Sequence, residues 1–208
     1  MKKLLILLFS IFILYSHSVF ADDISDFSIE GISIGDSLLD YMTEDEILEE
    51  IELNKDDYSY LNKPNKYVEI YFWEVLPTYD NGLSVFIKNN STNQYISNKK
   101  EKYTILTIFG MMNFIEKFDS CIAKRNEIAE VLSNMFPNAQ KQEGDLVHPS
   151  DPSGKSIVDK IVFNFDSGEQ ISSDCINFDE TYRIKSDLNE GLNIAIISKE
   201  ILDWFNDY

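Results

Sequence analysis

Apolar residues recur every three or four positions between Phe114 and Phe136, and this period is typical of an amphipathic α-helix. The positions that form the stripe are Cys121, Arg125, Ile128, Leu132 and Met135. Pro137 follows directly and ends the pattern, since proline cannot continue a helix. We expect one face of this long helix to pack on a β-sheet.

The other apolar segments are short and rich in β-branched and aromatic residues, which is typical of strands. The clearest pair, Ile157 to Phe165 and Ile171 to Phe178, flanks the turn sequence Asp166-Ser167-Gly168-Glu169. Further strand candidates are Tyr67 to Leu76, Leu83 to Lys88, Tyr103 to Phe109 and Gly191 to Ile197. The segment from Asn138 to Lys155 lacks such a pattern and is predicted to be a loop.

A short helical unit is predicted near the start of the chain. Thr43 and Glu46 have the spacing of a capping box, and Ile47, Leu48 and Ile51 follow at helical spacing. Together the segments predict an α+β fold. We expect a mostly antiparallel sheet of five or six strands packed against one long amphipathic helix, with this short N-terminal helical unit beside it.

The first 21 residues have the pattern of an export signal. Lys2 and Lys3 precede an apolar run from Leu4 to Tyr15, and the segment ends in Val19-Phe20-Ala21. An uncleaved membrane anchor is the alternative, but spanning a bilayer takes roughly 20 apolar residues, more than this run holds. We therefore expect cleavage after Ala21, leaving residues 22–208 as a single periplasmic α+β domain without a transmembrane anchor.

The chain is strongly acidic. Its 208 residues carry 18 basic and 36 acidic side chains, a net charge of −18, and loss of the two leader lysines makes this −20. Such a charge excludes nucleic acid as a partner, because phosphate binding needs clustered cations. The acidity serves either solubility or binding of a cationic partner. The best candidate positions for partner binding are Asp40, Glu44, Asp45, Glu49 and Glu50.

Cysteine and histidine usage limits the available chemistry. Cys121 and Cys175 are the only cysteines, and in an oxidising compartment such a pair predicts a disulfide. Without the leader, His148 is the single histidine, so zinc sites with two or three histidines are excluded. There is no nucleophile elbow and no calcium-loop motif. We predict no cofactor and no metal, although calcium binding by the acidic residues stays an alternative.

The most unusual local string runs from His148 to Ser156. It ends in Gly-Lys-Ser like a phosphate-binding loop, but Pro149 stands where the first glycine of that motif belongs. The candidate ligand-binding side chains are those of His148, Asp151, Ser153 and Lys155. The alternative is a rigid loop in which the Asp and Ser side chains bond the local backbone.

One further pattern is a resemblance. The segment Asp26 to Tyr41, DFSIEGISIGDSLLDY, followed by Glu44-Asp45-Glu46-Ile47, resembles a family of small exported proteins of unknown function from marine alphaproteobacteria. The resemblance continues through His148, Asp151, Ser153-Gly154-Lys155-Ser156, Cys175 and Ser198-Lys199-Glu200. It implies a periplasmic location in a Gram-negative bacterium and implies no activity, ligand or catalytic residue.

Two function hypotheses follow. The first is a non-catalytic periplasmic protein that binds a cationic protein or envelope component through its acidic helical face. The second is a periplasmic enzyme or small-ligand binder that uses the loop from His148 to Lys155 with carboxylates, since two carboxylates can perform acid–base catalysis without histidine. A deep polar pocket beside His148 favours the second hypothesis, and a shallow patch rimmed by acids favours the first.

Overall fold

The computed structural model describes residues 24–53, 66–72, 82–89 and 101–207. The expected signal peptide, residues 1–21, and its cleavage site lie outside the described residues. So do the end of the strand predicted from Tyr67 to Leu76 and most of the polar segment before Glu101.

Nine strands are present in the described residues, and seven of them form one sheet. The strands β1 (Ser28–Ile29) and β2 (Ile32–Ser33) make a separate small hairpin. The large sheet has the order β3-β4-β5-β9-β8-β7-β6, and every neighbouring pair is antiparallel. Its strands are β3 (Tyr67–Phe72), β4 (Leu83–Lys88), β5 (Ile105–Asn113), β6 (Gln140–Val147), β7 (Ile157–Asn164), β8 (Gln170–Asn177) and β9 (Gly191–Ile197).

The same residues contain four α-helices and two short 3₁₀ turns. The helices are α1 (Glu44–Leu53), α2 (Phe118–Met135), α3 (Glu180–Ser186) and α4 (Lys199–Asp207); the 3₁₀ turns are Ile24–Asp26 and Leu38–Asp40. No helix in residues 24–53, 66–72, 82–89 and 101–207 is long and apolar enough to cross a membrane. The α+β class is therefore confirmed. The prediction of five or six strands was wrong, because the sheet has seven, and a description by one long helix is incomplete.

The additional strand lies where a loop was predicted. All eight residues of β6 are exposed, so the strand shows none of the alternation that a half-buried strand has. It exists because it pairs with β7 without interruption, from Gln140 opposite Asn164 to Val147 opposite Ile157. Helix α3 was also missed; the Asp179 side chain caps it by accepting a hydrogen bond from the Tyr182 amide at 3.2 Å.

The main core lies between one face of the sheet and helix α2, which packs on β8 and β9. The predicted stripe of α2 is buried at Cys121 and Leu132, and Ala129 beside it is buried too. Arg125 in the same stripe is buried as well and forms an ion pair with Asp159 on β7.

The predicted disulfide is present between Cys121 on α2 and Cys175 on β8, with their Cα atoms 5.9 Å apart. It attaches the start of the helix to the middle of the sheet.

The opposite face of the sheet is covered near its β3 edge by α4. Tyr67, Phe86, Leu106 and Ile201 form a second apolar cluster there. The Tyr67 hydroxyl donates to Glu200 at 2.8 Å. Helix α1 packs against β3 from the side of the main core, where Ile47 is fully buried. The β3 edge of the sheet therefore carries helices on both faces.

Candidate functional site

The N-terminal acidic unit is held by local hydrogen bonds that its sequence specifies. The Thr43 amide donates to Glu46 Oε2 at 2.8 Å, and the Glu46 amide donates to Thr43 Oγ1 at 3.3 Å. This is the reciprocal pattern of a capping box, which satisfies amides that have no partner inside the helix. The prediction that α1 begins at this motif is confirmed.

The preceding turn is fixed in a similar way. Ser37 is the N-cap of the Leu38–Asp40 turn, and its hydroxyl also donates to the Lys102 carbonyl at 2.8 Å. The carboxylate of Asp36, directly before Ser37, accepts a hydrogen bond from the Ser33 amide at 3.0 Å. These bonds set the angle at which the chain enters α1.

Helix α1 has one buried, apolar side and one exposed side that carries acidic residues. Ile47 faces the core with no exposed surface, and Ile51 is half-buried on the same side. The outward side carries Asp45, Leu48, Glu49 and Glu52, all exposed, and we call these four residues the acidic helix face. Leu48 retains 40% of its surface exposed among the three acids. The face combines a negative field with an apolar contact.

The predicted partner-binding residues differ in their surroundings. Glu44 accepts from Lys102 Nζ at 3.2 Å and from the Tyr103 hydroxyl at 3.0 Å, and these bonds, that of Lys102 first, lower its pKa. Burial and the Glu44 carboxylate raise the pKa of Tyr103 to about 12. Glu44 therefore anchors α1 to the chain before β5. Asp45 and Glu49 point to solvent and form no ion pair within the described part of the chain.

Asp40 and Glu50 complete the predicted set. Asp40 is exposed at the end of the 3₁₀ turn, and Glu50 is half-buried on the flank of α1. Each has a further interaction of its own. The two residues flank the acidic helix face and are not part of it.

A cleft of about 480 Å³ opens beside the start of α1. Its lining residues are Leu39, Asp40, Tyr41, Met42, Thr43, Glu44 and Glu46. Tyr41 is 40% exposed, and its hydroxyl donates to Asp36 Oδ2 at 2.6 Å. Partial burial and the Asp36 carboxylate raise the pKa of Tyr41 to about 12, so the phenol stays neutral. We call this the Tyr41 cleft, and it continues the acidic surface around the helix start.

The second predicted site, the loop from His148 to Ser156, is organised around Asp151. That carboxylate is buried and accepts from the Ser153 amide and hydroxyl, each at 2.8 Å. It also accepts from the Ser156 hydroxyl at 2.6 Å and the Ser156 amide at 2.9 Å. These bonds, led by the Ser156 hydroxyl, hold the pKa of Asp151 well below its usual range. Asp151 and Ser153 thus bond each other and the local backbone.

The other two predicted members of this site face different partners. The His148 ring stacks edge-on against Phe178 with 4.8 Å between ring centroids, and its Nδ1 lies 2.8 Å from the Ser150 hydroxyl. Burial lowers the pKa of His148 below its ordinary value. Lys155 is largely exposed, with its Nζ 3.7 Å from Asp179. The four side chains do not converge on a common point.

Some residues of the acidic surface were not found from the sequence. Tyr41 was part of the opening motif but was given no role, and Leu48 was assigned to the buried side of α1. The contact of Glu44 with Lys102 and Tyr103 crosses about sixty positions of sequence, so no local pattern indicates it. The helical angle indicates this border position, since Leu48 is three positions from both Ile51 on the buried side and Asp45 on the exposed side.

A comparison of the chain with family models, with curated proteins and with solved structures finds no match.

Proposed function

We propose that this chain is an exported periplasmic protein, without a catalytic role, that binds a cationic protein or envelope component. The observation that carries the proposal is the acidic helix face. Asp45, Glu49 and the edge of Leu48 are exposed on one side of the helix, next to the Tyr41 cleft. A basic side chain with an apolar stem fits such a surface, because its charge meets the carboxylates while its stem covers Leu48.

The acids of the first turn of α1, Glu44, Asp45 and Glu46, favour the helix, but two other features of its acids are unfavourable. Asp45 and Glu49 are four positions apart, where like charges cost about 0.2–0.5 kcal/mol. The last turn holds acids and no basic residue, whereas a helix C-terminus favours cations. The capping box and the burial of Ile47 keep the helix in place despite this. A basic partner would relieve the repulsion, so the pattern is typical of a binding surface.

The expected compartment is supported by the disulfide. The bond between Cys121 and Cys175 is compatible with an oxidising environment such as the periplasm. The proposal that the chain is exported, with residues 22–208 as one mature domain, rests on this bond together with the signal pattern of residues 1–21.

The contacts of the loop from His148 to Ser156 fit a packing role. Four hydrogen bonds to Asp151 come from the loop itself, and the Tyr182 hydroxyl ties the loop to α3 by donating to the Ser150 carbonyl at 2.6 Å. The Asp179 amide adds a bond to Ser156 Oγ at 2.9 Å. We therefore put forward the binding function and assign no reaction to this loop.

The test is co-purification from a native envelope extract with a charge-matched control. The variant Asp45→Lys with Glu49→Lys reverses the acidic helix face, and Glu130→Lys with Asp207→Lys makes the same change in net charge at two exposed acids elsewhere. We expect the first variant to lose the partner that the wild type retains at low salt, and the second to keep it. Raising the salt should release the partner from the wild type, since exposed charge contacts are screened.

The proposal fails if the two charge-matched variants behave alike. Equal loss would show that binding depends on total charge, and equal retention would show that the acidic helix face is not used. Circular dichroism of both variants provides the check that α1 and the sheet are intact.

A further inference from the structure

The sheet ends at β6, and this edge is bare in the described part of the chain. Eight consecutive residues pair with β7 on one side, without a bulge. All eight are exposed, and none of the described strands other than β7 pairs with β6. An edge strand of this length presents a row of backbone amides and carbonyls that another chain can pair with.

The direction of these backbone groups follows from the register. The His148 amide donates to the Ser156 carbonyl at 2.8 Å, one pair beyond the end of β6. In an antiparallel ladder the hydrogen-bonded pairs alternate, so the even-numbered residues of β6 bond β7. The odd-numbered residues Lys141, Glu143 and Asp145, with Val147, direct their amides and carbonyls outward. The opposite side of β7 agrees, since the Phe165 amide donates to Glu169 beyond β8.

The other edge of the sheet is built differently. On β3 the side chains from Tyr67 to Ile70 are buried, and α1 packs against the strand. Natural edge strands are usually protected by covering elements, proline, bulges or charges. Within the described residues, strand β6 has only the last of these, in Lys141, Glu143 and Asp145. The difference between the two edges singles out β6 as the site for strand addition.

The charges on β6 specify the kind of segment that fits. Lys141, Glu143 and Asp145 lie on one face of the strand because side chains alternate. Lys141 and Glu143 form an ion pair along the strand. The face thus carries one base and two acids, and the whole chain carries a net charge of −18. Pairing with a second copy centred on Glu143 would place Lys141 opposite Asp145 but Glu143 opposite Glu143, and both copies carry the same net negative charge. A segment with basic residues opposite Glu143 and Asp145 meets no like charge and is therefore favoured over a second copy.

We propose that β6 accepts an extended segment of a partner protein as an eighth strand of the sheet, with basic residues opposite Glu143 and Asp145 and an acid opposite Lys141. An antiparallel segment then has the order basic, any residue, basic, any residue, acidic. Backbone bonds supply the affinity, and the facing charges supply the specificity. This surface is at the far end of the sheet from α1, so the inference goes beyond the function proposed above.

The probe is a fluorescently labelled peptide of sequence Thr-Lys-Val-Lys-Val-Glu-Thr, titrated with the full chain at 150 mM salt and followed by fluorescence anisotropy. In the proposed register the amides of its two lysines and its glutamate face β6, and the amides of its valines face away. N-methylation at the lysines should weaken binding at least tenfold, and N-methylation at the valines should leave it within twofold. A peptide with all three charges reversed should also lose at least tenfold.

Two protein variants test the strand itself. Asp145→Pro removes an outward amide without touching a bond to β7, and Asp145→Asn removes the same charge but keeps that amide. We expect the proline variant to bind the peptide at least tenfold more weakly than the asparagine variant. If the proline variant does not fold, the comparison of the two methylated peptides still decides the question.

Three results would overturn the inference. One is equal binding of the two methylated peptides, and another is no binding of the parent peptide at millimolar concentration. The third is concentration-dependent self-association that Asp145→Pro abolishes, because this would assign the edge to a second copy. The variant Asp45→Lys with Glu49→Lys should bind the peptide like the wild type, so failure at the acidic helix face and failure at β6 are distinguishable.

Discussion

Asp174 occupies an unfavourable position in the middle of β8. It lies directly opposite Lys160 on β7 and Asn193 on β9, on the sheet face away from α2. Burial raises the pKa of Asp174 from 3.8 to about 6, against the smaller opposing effects of Lys160, the Ser172 hydroxyl and Arg125. The Lys160 ammonium is 3.7 Å from its carboxylate, and the Asp174 side chain is 17% exposed. Among the described residues, no donor bonds the buried Oδ1 atoms of Asp174 and Asn193.

The raised pKa determines how Asp174 affects stability with pH. Between pH 3.8 and about 6 the folded chain holds this proton more tightly than the unfolded chain. The contribution of Asp174 to the free energy of unfolding is therefore most favourable at low pH, and it is lost as the pH rises through this window. The pKa of Asp174 differs between the folded and the unfolded chain by about two units. This corresponds to about 3 kcal/mol in free energy of unfolding, since one pKa unit is about 1.4 kcal/mol.

The variant Asp174→Asn isolates this contribution because it removes the charge and keeps the shape. Its amide group can also donate to the orphaned oxygen of Asn193. We expect the variant to exceed the wild type in free energy of unfolding by about 0.5 kcal/mol at pH 4 and by about 3 kcal/mol above pH 7. Urea denaturation of both proteins at half-unit pH steps measures the difference, in which contributions common to both proteins cancel.

Asp166→Asn, at an exposed position in the β7–β8 turn, is the control. As a surface substitution it should stay within about 0.5 kcal/mol of the wild type in free energy of unfolding. The reasoning about Asp174 is refuted if its variant differs from the wild type by the same amount at pH 4 and pH 7.5. It is also refuted if the variant is the less stable protein at pH 7.5.

Three further substitutions test the core and the second loop. Replacing Cys121 and Cys175 together by alanine should lower the free energy of unfolding by about 4 kcal/mol, the loop-entropy estimate for their sequence separation of 54, and should make urea unfolding insensitive to reductant. Leu132→Ala should cost about 2–5 kcal/mol in the same assay, whereas Val131→Ala beside it, half exposed, should stay within about 0.5 kcal/mol. Asp151→Ala should lower the melting temperature, because four hydrogen-bond donors lose their acceptor, and it should leave partner capture unchanged. If a folded Asp151→Ala variant lost capture, this loop would be part of the binding site.

Elements with strong local signals could be predicted from the sequence. The stripe of α2, the capping box of α1 and the turn between β7 and β8 each depend on residues a few positions apart. The hairpin is present at the predicted turn, and its register, with Asn164 opposite Gln170, is set by the structure. The disulfide could be predicted because two cysteines allow a single intramolecular pairing.

Strand β6 could not be predicted because its signal is not in its own residues. A strand exposed on both faces needs no apolar alternation, and Gln140 to Val147 shows none. What makes it a strand is the ladder to β7, which lies beyond the loop from His148 to Ser156. The hydrogen bonds around Asp151 close that loop and bring the two strands into register.

The sequence predicted that acidic residues form the candidate site, but it did not predict which of their carboxylates are exposed and which have partners in the fold. Counting acids located the cluster around α1, but the distinction between Glu44 and its neighbours depends on Lys102 and Tyr103, which the fold brings from far along the chain. Asp45 and Glu49 remain in solvent because the helical angle turns them away from Ile47. The tertiary contacts thus decide which carboxylates are available to a partner.

The two proposed surfaces lie at opposite ends of the sheet, and this separation constrains any partner that uses both. Six strand spacings of about 4.8 Å separate β3, which α1 covers, from β6, a span of about 29 Å. An extended chain covers that distance in about nine residues. A partner with two basic segments at least that far apart would bind both surfaces, and the second contact would gain from its high effective concentration. Disrupting either surface in such a complex should weaken binding far more than the loss of one isolated contact.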